Sequence, residues 1–172
     1  MDKVRKNIAI DRKLAEDIKA IAKSRGMTLS EYLRKLLSSA IDLEKQGLYA
    51  PRILEEARDS MILSSFRFVY IPQDILSDKK FDEEDLKRAR EYGERVGRVL
   101  KEMFLDIRSF IERFGGSSDL IISRGSSIII IKSNGIRRVI AELIIGIARG
   151  GDLDVSETDQ IAIINPSATG KS

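Results

Sequence analysis

The chain has 172 residues and a formal net charge of +3, and it contains neither cysteine nor histidine. This length allows one or two domains with a sizeable core. Without cysteine there are no disulfides and no thiolate chemistry. Without histidine the commonest transition-metal ligand and general base is missing. We therefore expect a protein that is not an enzyme and that carries no cofactor and no metal.

The composition also bears on source and location. Isoleucine, lysine, arginine and glutamate are abundant, whereas asparagine and glutamine are scarce, which is typical of a thermophile. No stretch is apolar enough to cross a membrane, and no signal peptide opens the chain. We expect a soluble, cytoplasmic protein without a membrane partner.

The first element is a short strand at Arg5–Ile10. Its residues alternate, so that Ile8 and Ile10 share one face with Lys6. The opposite face carries Arg5, Asn7 and Ala9. A period of two predicts a strand with one apolar face.

Two helices follow the strand. Asp11 can cap the first helix, and Gly26 ends it, because glycine readily adopts the left-handed turn found there. Thr28 and Glu31 form a capping-box pattern at the start of the second helix, which continues with an apolar stripe to Ile41.

A strand and two helices of this size cannot bury their apolar faces alone, because about 40 residues is near the lower limit for an independent core. The single strand also has two unpaired edges. A second copy would pair the strands antiparallel and interleave the helices. The sequence therefore predicts an obligate homodimer through residues 5–41.

The strand, the cap, the glycine and the capping box together resemble the ribbon-helix-helix DNA-binding family of the Arc and methionine-repressor type. The resemblance covers about residues 3–45. It implies a two-stranded ribbon that enters the major groove of double-stranded DNA. The implied base readers are Arg5, Asn7 and Ala9, although Ala9 departs from the polar residue common at that position.

The resemblance also implies a phosphate anchor on the free amides that open the second helix. The implied phosphate-binding residues are Thr28, Leu29 and Ser30. Lys3 and Lys6 lie close to the base readers in the sequence and can also reach phosphates. Glu31 would repel a phosphate unless its carboxylate turns back into the capping box. The alternative interpretation of the whole stretch is an exposed basic sheet face without a DNA role.

Charge is distributed unevenly along the chain. Residues 1–41 contain ten Lys/Arg against five Asp/Glu, a balance of +5, and the remainder carries −2. The excess positive charge falls on the segment assigned to DNA, which suits attraction to phosphates and a location on the nucleoid.

The chain after the second helix divides into three parts. A linking helix is predicted over 48–63. Pro51 suits the first helical position, and the apolar residues that follow at helical spacing are Ile53, Leu54, Ala57, Met61 and Ile62. A second domain is predicted over 64–166 and a flexible tail over 167–172. The DNA-binding domain then covers 1–47.

The second domain is predicted to begin with a strand at Phe66–Ile71, followed by a long helix from Asp82 to Phe114, broken near Leu105. Gly93 and Gly97 in this helix favour packing against a bulky neighbour. A hairpin at 119–131 follows, with an isoleucine run that predicts a strand buried on both faces.

The end of the second domain is predicted as a helix over 135–149 capped by Asn134, an acidic loop, and a strand over 160–164. The order strand-helix-strand-strand-helix-strand is that of an α+β, ferredoxin-like domain. Small-molecule-binding ACT domains share this order, and the nickel-responsive repressor joins one to a ribbon-helix-helix. Nickel sensing is rejected because the chain lacks histidine and cysteine.

The second domain could oligomerise, sense a small-molecule effector or dock a protein. The wide apolar face of the helix over 135–149 favours self-association, which would join two dimers into a tetramer. The acids Asp152, Asp154, Glu157 and Asp159 could bind a hard cation, but a solvated loop is favoured. Residues 167–172 resemble a phosphate-binding loop only weakly and favour a frayed tail.

Two functions remain. The favoured one is a sequence-specific transcription regulator, such as a repressor. The alternative is an antitoxin or a DNA-segregation adaptor whose C-terminal part binds a protein partner. Antitoxin tails usually fold only on their partner, whereas residues 64–165 have the pattern of a folded core.

Overall fold

A computed structural model describes residues 9–69, 71–76, 78–116 and 119–166. The chain divides into two compact units, the first ending at Ala57 and the second beginning at Arg58. Helices and one small sheet are both present, so the α+β class is confirmed. Most of the predicted strand Arg5–Ile10 and all of the predicted tail lie outside the described residues.

The helices of the first unit lie where the sequence predicts them. They are α1 (Arg12–Ser24), α2 (Leu29–Lys45) and the start of α3 (Ala50–Ser65), which crosses the boundary between the units. α3 corresponds to the predicted linking helix, but it continues to Ser65. Ile62 and Leu63 in its last turns are buried in the core of the second unit.

The second unit contains a short 3-10 helix (Gln73–Leu76) and the helices α4 (Glu83–Glu102), α5 (Ile107–Gly116) and α6 (Ile136–Gly150). The predicted break near Leu105 is confirmed. Phe104 there has φ +55°, and the Leu105 amide donates to the Leu100 carbonyl at 3.1 Å, which closes the end of α4.

Four antiparallel strands form the sheet, in the spatial order β1-β2-β4-β3. They are β1 (Ile121–Arg124), β2 (Ser127–Ile131), β3 (Asp154–Glu157) and β4 (Ile161–Asn165). The hairpin β1-β2 is confirmed, with Gly125 at φ +60° in its turn.

The isoleucine run of β2 is buried on one face only. Ile128 and Ile130 are buried, whereas Ile129 is half-buried and Ile131 is exposed. The prediction of a strand buried on both faces was therefore wrong. Antiparallel sheets often pack one face on the core and leave the other partly wet.

The predicted strand at Phe66–Ile71 is not formed by its described residues. Phe66 and Arg67 lie in a turn, and Phe68 and Val69 are irregular. The rings of Phe66 and Phe68 pack edge-on against Tyr92 at centroid distances of 6.3 and 5.6 Å. Aromatic residues that favour strands in isolation are used here to cover helices.

The predicted acidic loop is also corrected, because Asp154–Glu157 form β3. Val155 and Glu157 face inward, and Val155 packs against the core. The described residues of the second unit therefore run helix, helix, strand, strand, helix, strand, strand after α3. This order replaces the ferredoxin-like order predicted from the sequence.

α6 lies at the centre of the second unit and packs against α4, α5, β3 and β4. Ala141, Ile144, Ile145, Ile147 and Ala148 are all fully buried. The wide apolar face that predicted self-association is thus covered in part within the same unit, and its half-buried residues Ile136, Val139, Ile140 and Leu143 line a cavity. Gly135 with φ +67° precedes the helix and no side chain caps it, so the predicted cap by Asn134 was wrong.

Candidate functional site: the N-terminal helices and a cavity in the second unit

The start of α1 and the turn after it follow from local hydrogen bonds. The Asp11 carboxylate accepts from the Leu14 amide at 2.8 Å, as predicted for an N-cap. Gly26, at φ +67°, lies in the turn that joins α1 to α2. These contacts set the direction in which α2 leaves α1.

The capping box at the start of α2 is confirmed. The Thr28 hydroxyl accepts from the Glu31 amide at 3.2 Å, and the Glu31 carboxylate accepts from the Thr28 amide at 3.0 Å. The Thr28 amide and hydroxyl both hold the pKa of Glu31 below its usual value. Glu31 is thus turned back from the helix end, as the phosphate assignment required.

The predicted DNA-contacting residues fall into two groups. The first group lies outside the described residues and comprises Lys3, Arg5, Lys6 and Asn7. Ala9 is described, is exposed and belongs to no strand. Thr28, Leu29 and Ser30 lie together at the start of α2, where the first amides of a helix lack intrahelical acceptors. The Glu31 amide is already taken by Thr28.

The first unit exposes the apolar faces of its own helices. Among residues 9–57, Ala22 and Ala50 are the only buried apolar side chains. Leu37 and Ile41 on α2 are 50% and 52% exposed, and Leu14 on α1 is 46% exposed. The described residues of the first unit therefore leave a stripe of apolar side chains at helical spacing in contact with solvent.

A cavity of about 700 Å³ lies in the second unit. Its described walls come from the end of α3, residues 66–69 and 71, and the helices α4, α5 and α6, and most of its surface is apolar. Tyr92 and Phe114 are among the residues that line it, and the Tyr92 hydroxyl donates to the Phe66 carbonyl. Cavities of roughly 300–1,000 Å³ are typical of small-molecule sites.

The sequence did not predict this cavity. It predicts a strand for Phe66 and Phe68, and a self-association surface for the residues of α6 that line the cavity. No motif joins residues 60–92 to residues 136–143. Only the pairing of α4 with α6 brings them together.

Ion pairs join α4, α6 and β3 of the second unit and include Lys132, the residue after β2. Arg90 on α4 contacts Glu142 on α6 through Nε at 2.8 Å and Glu157 on β3 through Nη1 at 3.0 Å. Glu157 also accepts from Lys132 and Arg149. Burial alone would raise the pKa of Glu157, but the hydrogen bonds and charges of Lys132 and Arg90 hold it below its usual value.

Two of the four acids that could bind a hard cation form ion pairs. Glu157 pairs with Arg90, Lys132 and Arg149, and Asp152 pairs with Lys101. Among the described residues, no group of three or more acids is placed to hold a metal ion. The described part of the chain likewise has no helix long and apolar enough to cross a membrane.

Comparison with known proteins found no matching family model, no matching curated protein and no matching solved structure.

Proposed function

We propose that this protein is a dimeric transcription regulator that binds double-stranded DNA through its N-terminal unit. The observation that carries the proposal is the pair α1-α2. Its cap, glycine turn and capping box lie at the spacing of the ribbon-helix-helix family, and its apolar faces remain exposed in one copy. A second copy would cover those faces and supply the partner strand of the ribbon.

Charge and helix geometry support the same function. The excess of positive charge in residues 1–41 attracts phosphates. The Leu29 and Ser30 amides belong to the first turn of α2, where helix amides lack intrahelical acceptors, while Glu31 is held back by Thr28. In the proposed complex, Arg5 and Asn7 read base edges, and Lys3 and Lys6 contact the DNA backbone.

The second unit favours a regulator over an antitoxin. Its core includes Val96, Leu100, Phe110, Ile111, Ile144 and Ile147, all at most 1% exposed. An antitoxin tail that folds only on its toxin would not pack such a core by itself. An adaptor that docks a folded partner through this unit remains the second candidate.

The experiment is a selection of duplexes from a random-sequence library with the full chain. We expect enrichment of a two-fold symmetric motif, because the two ribbon strands are related by symmetry. The enriched duplex and a scrambled duplex are then compared by fluorescence anisotropy across a salt series. Failure to enrich any motif would contradict sequence-specific binding.

Two substitutions separate base reading from phosphate contact. Arg5→Ala should lower affinity for the enriched duplex much more than for the scrambled one, because one bidentate base contact is worth about 1–3 kcal/mol. Lys6→Ala should weaken both, and the log–log salt slope should shrink by about two in the dimer. Lys87→Ala is the control, since this exposed lysine belongs to the second unit. An equal loss on both duplexes for Arg5→Ala would refute its base-reading role.

A further inference from the structure

Two hydroxyl groups in the wall of the cavity of the second unit already donate to backbone carbonyls. The Tyr92 hydroxyl donates to the Phe66 carbonyl, and the Ser64 hydroxyl donates to the Ser60 carbonyl at 2.8 Å. The remaining wall is formed mainly by aliphatic and aromatic side chains, such as Leu143 and Phe114. A ligand that fits these walls must have an apolar body, because the interior offers few hydrogen-bonding groups.

The charged groups around the cavity are not equivalent. Asp85 is held in the capping box of α4, where its carboxylate accepts from the Asp82 amide at 3.3 Å. Arg88 pairs with Glu84 at 3.2 Å. Arg67 lines the cavity and is exposed, and its guanidinium makes no ion pair with any described residue. Arg67 is therefore the cation in this wall whose charge is not paired with a described acid.

Arg67 lies in the turn that ends α3. It has φ +60°, and the Phe68 amide donates to the Leu63 carbonyl at 3.3 Å, which closes the helix end as a residue in the left-handed conformation commonly does. This turn places Arg67 at the cavity wall.

We propose that this cavity binds an amphipathic monocarboxylate of the fatty-acid type, with its chain among the apolar walls and its carboxylate paired with Arg67. The volume suits a ligand of this size. A guanidinium binds a carboxylate through two parallel hydrogen bonds, which orients the head group at the rim. This site is independent of the proposed DNA contacts, because its lining residues all belong to the second unit.

The test is isothermal titration calorimetry of the full chain with decanoate, below the concentration at which it forms micelles. We expect one molecule bound per chain. Affinity should rise about fourfold per added methylene from octanoate to decanoate, since each buried methylene contributes about 0.8 kcal/mol. Decanol and decyltrimethylammonium should bind at least tenfold more weakly than decanoate. Equal binding of all three would overturn the head-group assignment.

Three variants locate the site. Arg67→Gln should weaken decanoate binding about tenfold and leave decanol binding unchanged. Ala89→Phe, which adds a ring at the cavity wall, should abolish binding of both. Arg98→Gln is the matched control, an exposed arginine of α4 that does not line the cavity. Unchanged binding by folded Ala89→Phe, or by Arg67→Gln, would overturn the proposal.

One further measurement distinguishes the ligand from a protein occupant. Sedimentation of the full chain should give the same mass with and without decanoate. A fall in mass on adding decanoate would mean that the cavity receives another copy of this chain, and the proposal would fail.

Discussion

The backbone of Gly146 on α6 lies directly against the carbonyl oxygen of Arg90 on α4. A methyl group on Gly146 would lie 2.1 Å from that oxygen, and one on Gly93 would lie 2.1 Å from the Leu143 carbonyl oxygen. Gly97 and Gly150 show the same geometry. The sequence predicted a bulky neighbour for Gly93 and Gly97, but in the structure these glycines contact the backbone of α6. α4 and α6 are therefore close enough that any side chain at these positions would separate them.

This contact predicts a large effect from a single methyl group. Gly146→Ala should lower the free energy of unfolding by about 3 kcal/mol, at the upper end of the range for overpacking, because backbone atoms rather than flexible side chains must move. Gly116→Ala is the control, since a methyl group at that α5 position meets nothing within 4 Å. Urea denaturation measures both. Equal stabilities would contradict the close packing of α4 and α6.

A second prediction concerns the buried acid Glu142, whose side chain is 4% exposed and contacts Arg90 and Arg138. Glu142→Gln should lower the free energy of unfolding by roughly 2 kcal/mol. Loss of one partner of a fully buried pair costs roughly 3–5 kcal/mol, and here Glu157 still pairs with Arg90. Glu91→Gln on the exposed face of α4 should cost less than about 1 kcal/mol. Thermal denaturation of both variants tests this, and similar losses would count against the buried pair.

A third prediction is the acid dependence of stability. The pKa of Glu157 is lowered in the folded protein, so the folded state holds its proton less tightly than the unfolded state. The stabilisation is therefore fully present above the unfolded pKa, about 4.3 for glutamate. It is lost as pH falls from there through the folded pKa.

The variant Glu157→Gln isolates this contribution. It should be less stable than the wild type at neutral pH and should lose less stability between pH 5 and pH 3. Glu102→Gln, an exposed glutamate at the end of α4, should keep the acid dependence of the wild type. Chemical denaturation at a series of pH values measures the difference. Parallel curves for the wild type and Glu157→Gln would contradict the role of this carboxylate.

A fourth prediction follows from the exposed face of α2. Leu37 and Ile41 lie one helical turn apart and are about half exposed in one copy. Replacing both with aspartate should convert a dimer into a monomer, because two charges would enter an apolar interface. Ser39→Asp on the opposite face of α2 should remain dimeric. Analytical ultracentrifugation at micromolar concentration measures the mass of the wild type and of each variant. A folded wild-type monomer would exclude the dimer.

The sequence by itself determined those features whose partners lie within a few residues. The Asp11 cap, the Thr28–Glu31 capping box, the break near Leu105 and the turn at Gly125 each depend on contacts between neighbours in the chain. Such contacts require little loop closure, so the residue pattern is sufficient to predict them. The candidate DNA-binding motif includes two of these local features, the Asp11 cap and the Thr28–Glu31 capping box.

Only the tertiary structure decided the features that join distant residues. Phe66 and Phe68 have strand propensity, yet their rings pack against Tyr92. Asp154–Glu157 form β3, in which Val155 packs against the core and Glu157 accepts from Arg90. Gly93 and Gly146 pack together although 53 positions separate them. Propensity is a weak preference that long-range packing overrides. The cavity beside Arg67 arises from the same long-range packing, and for that reason no local pattern predicted it.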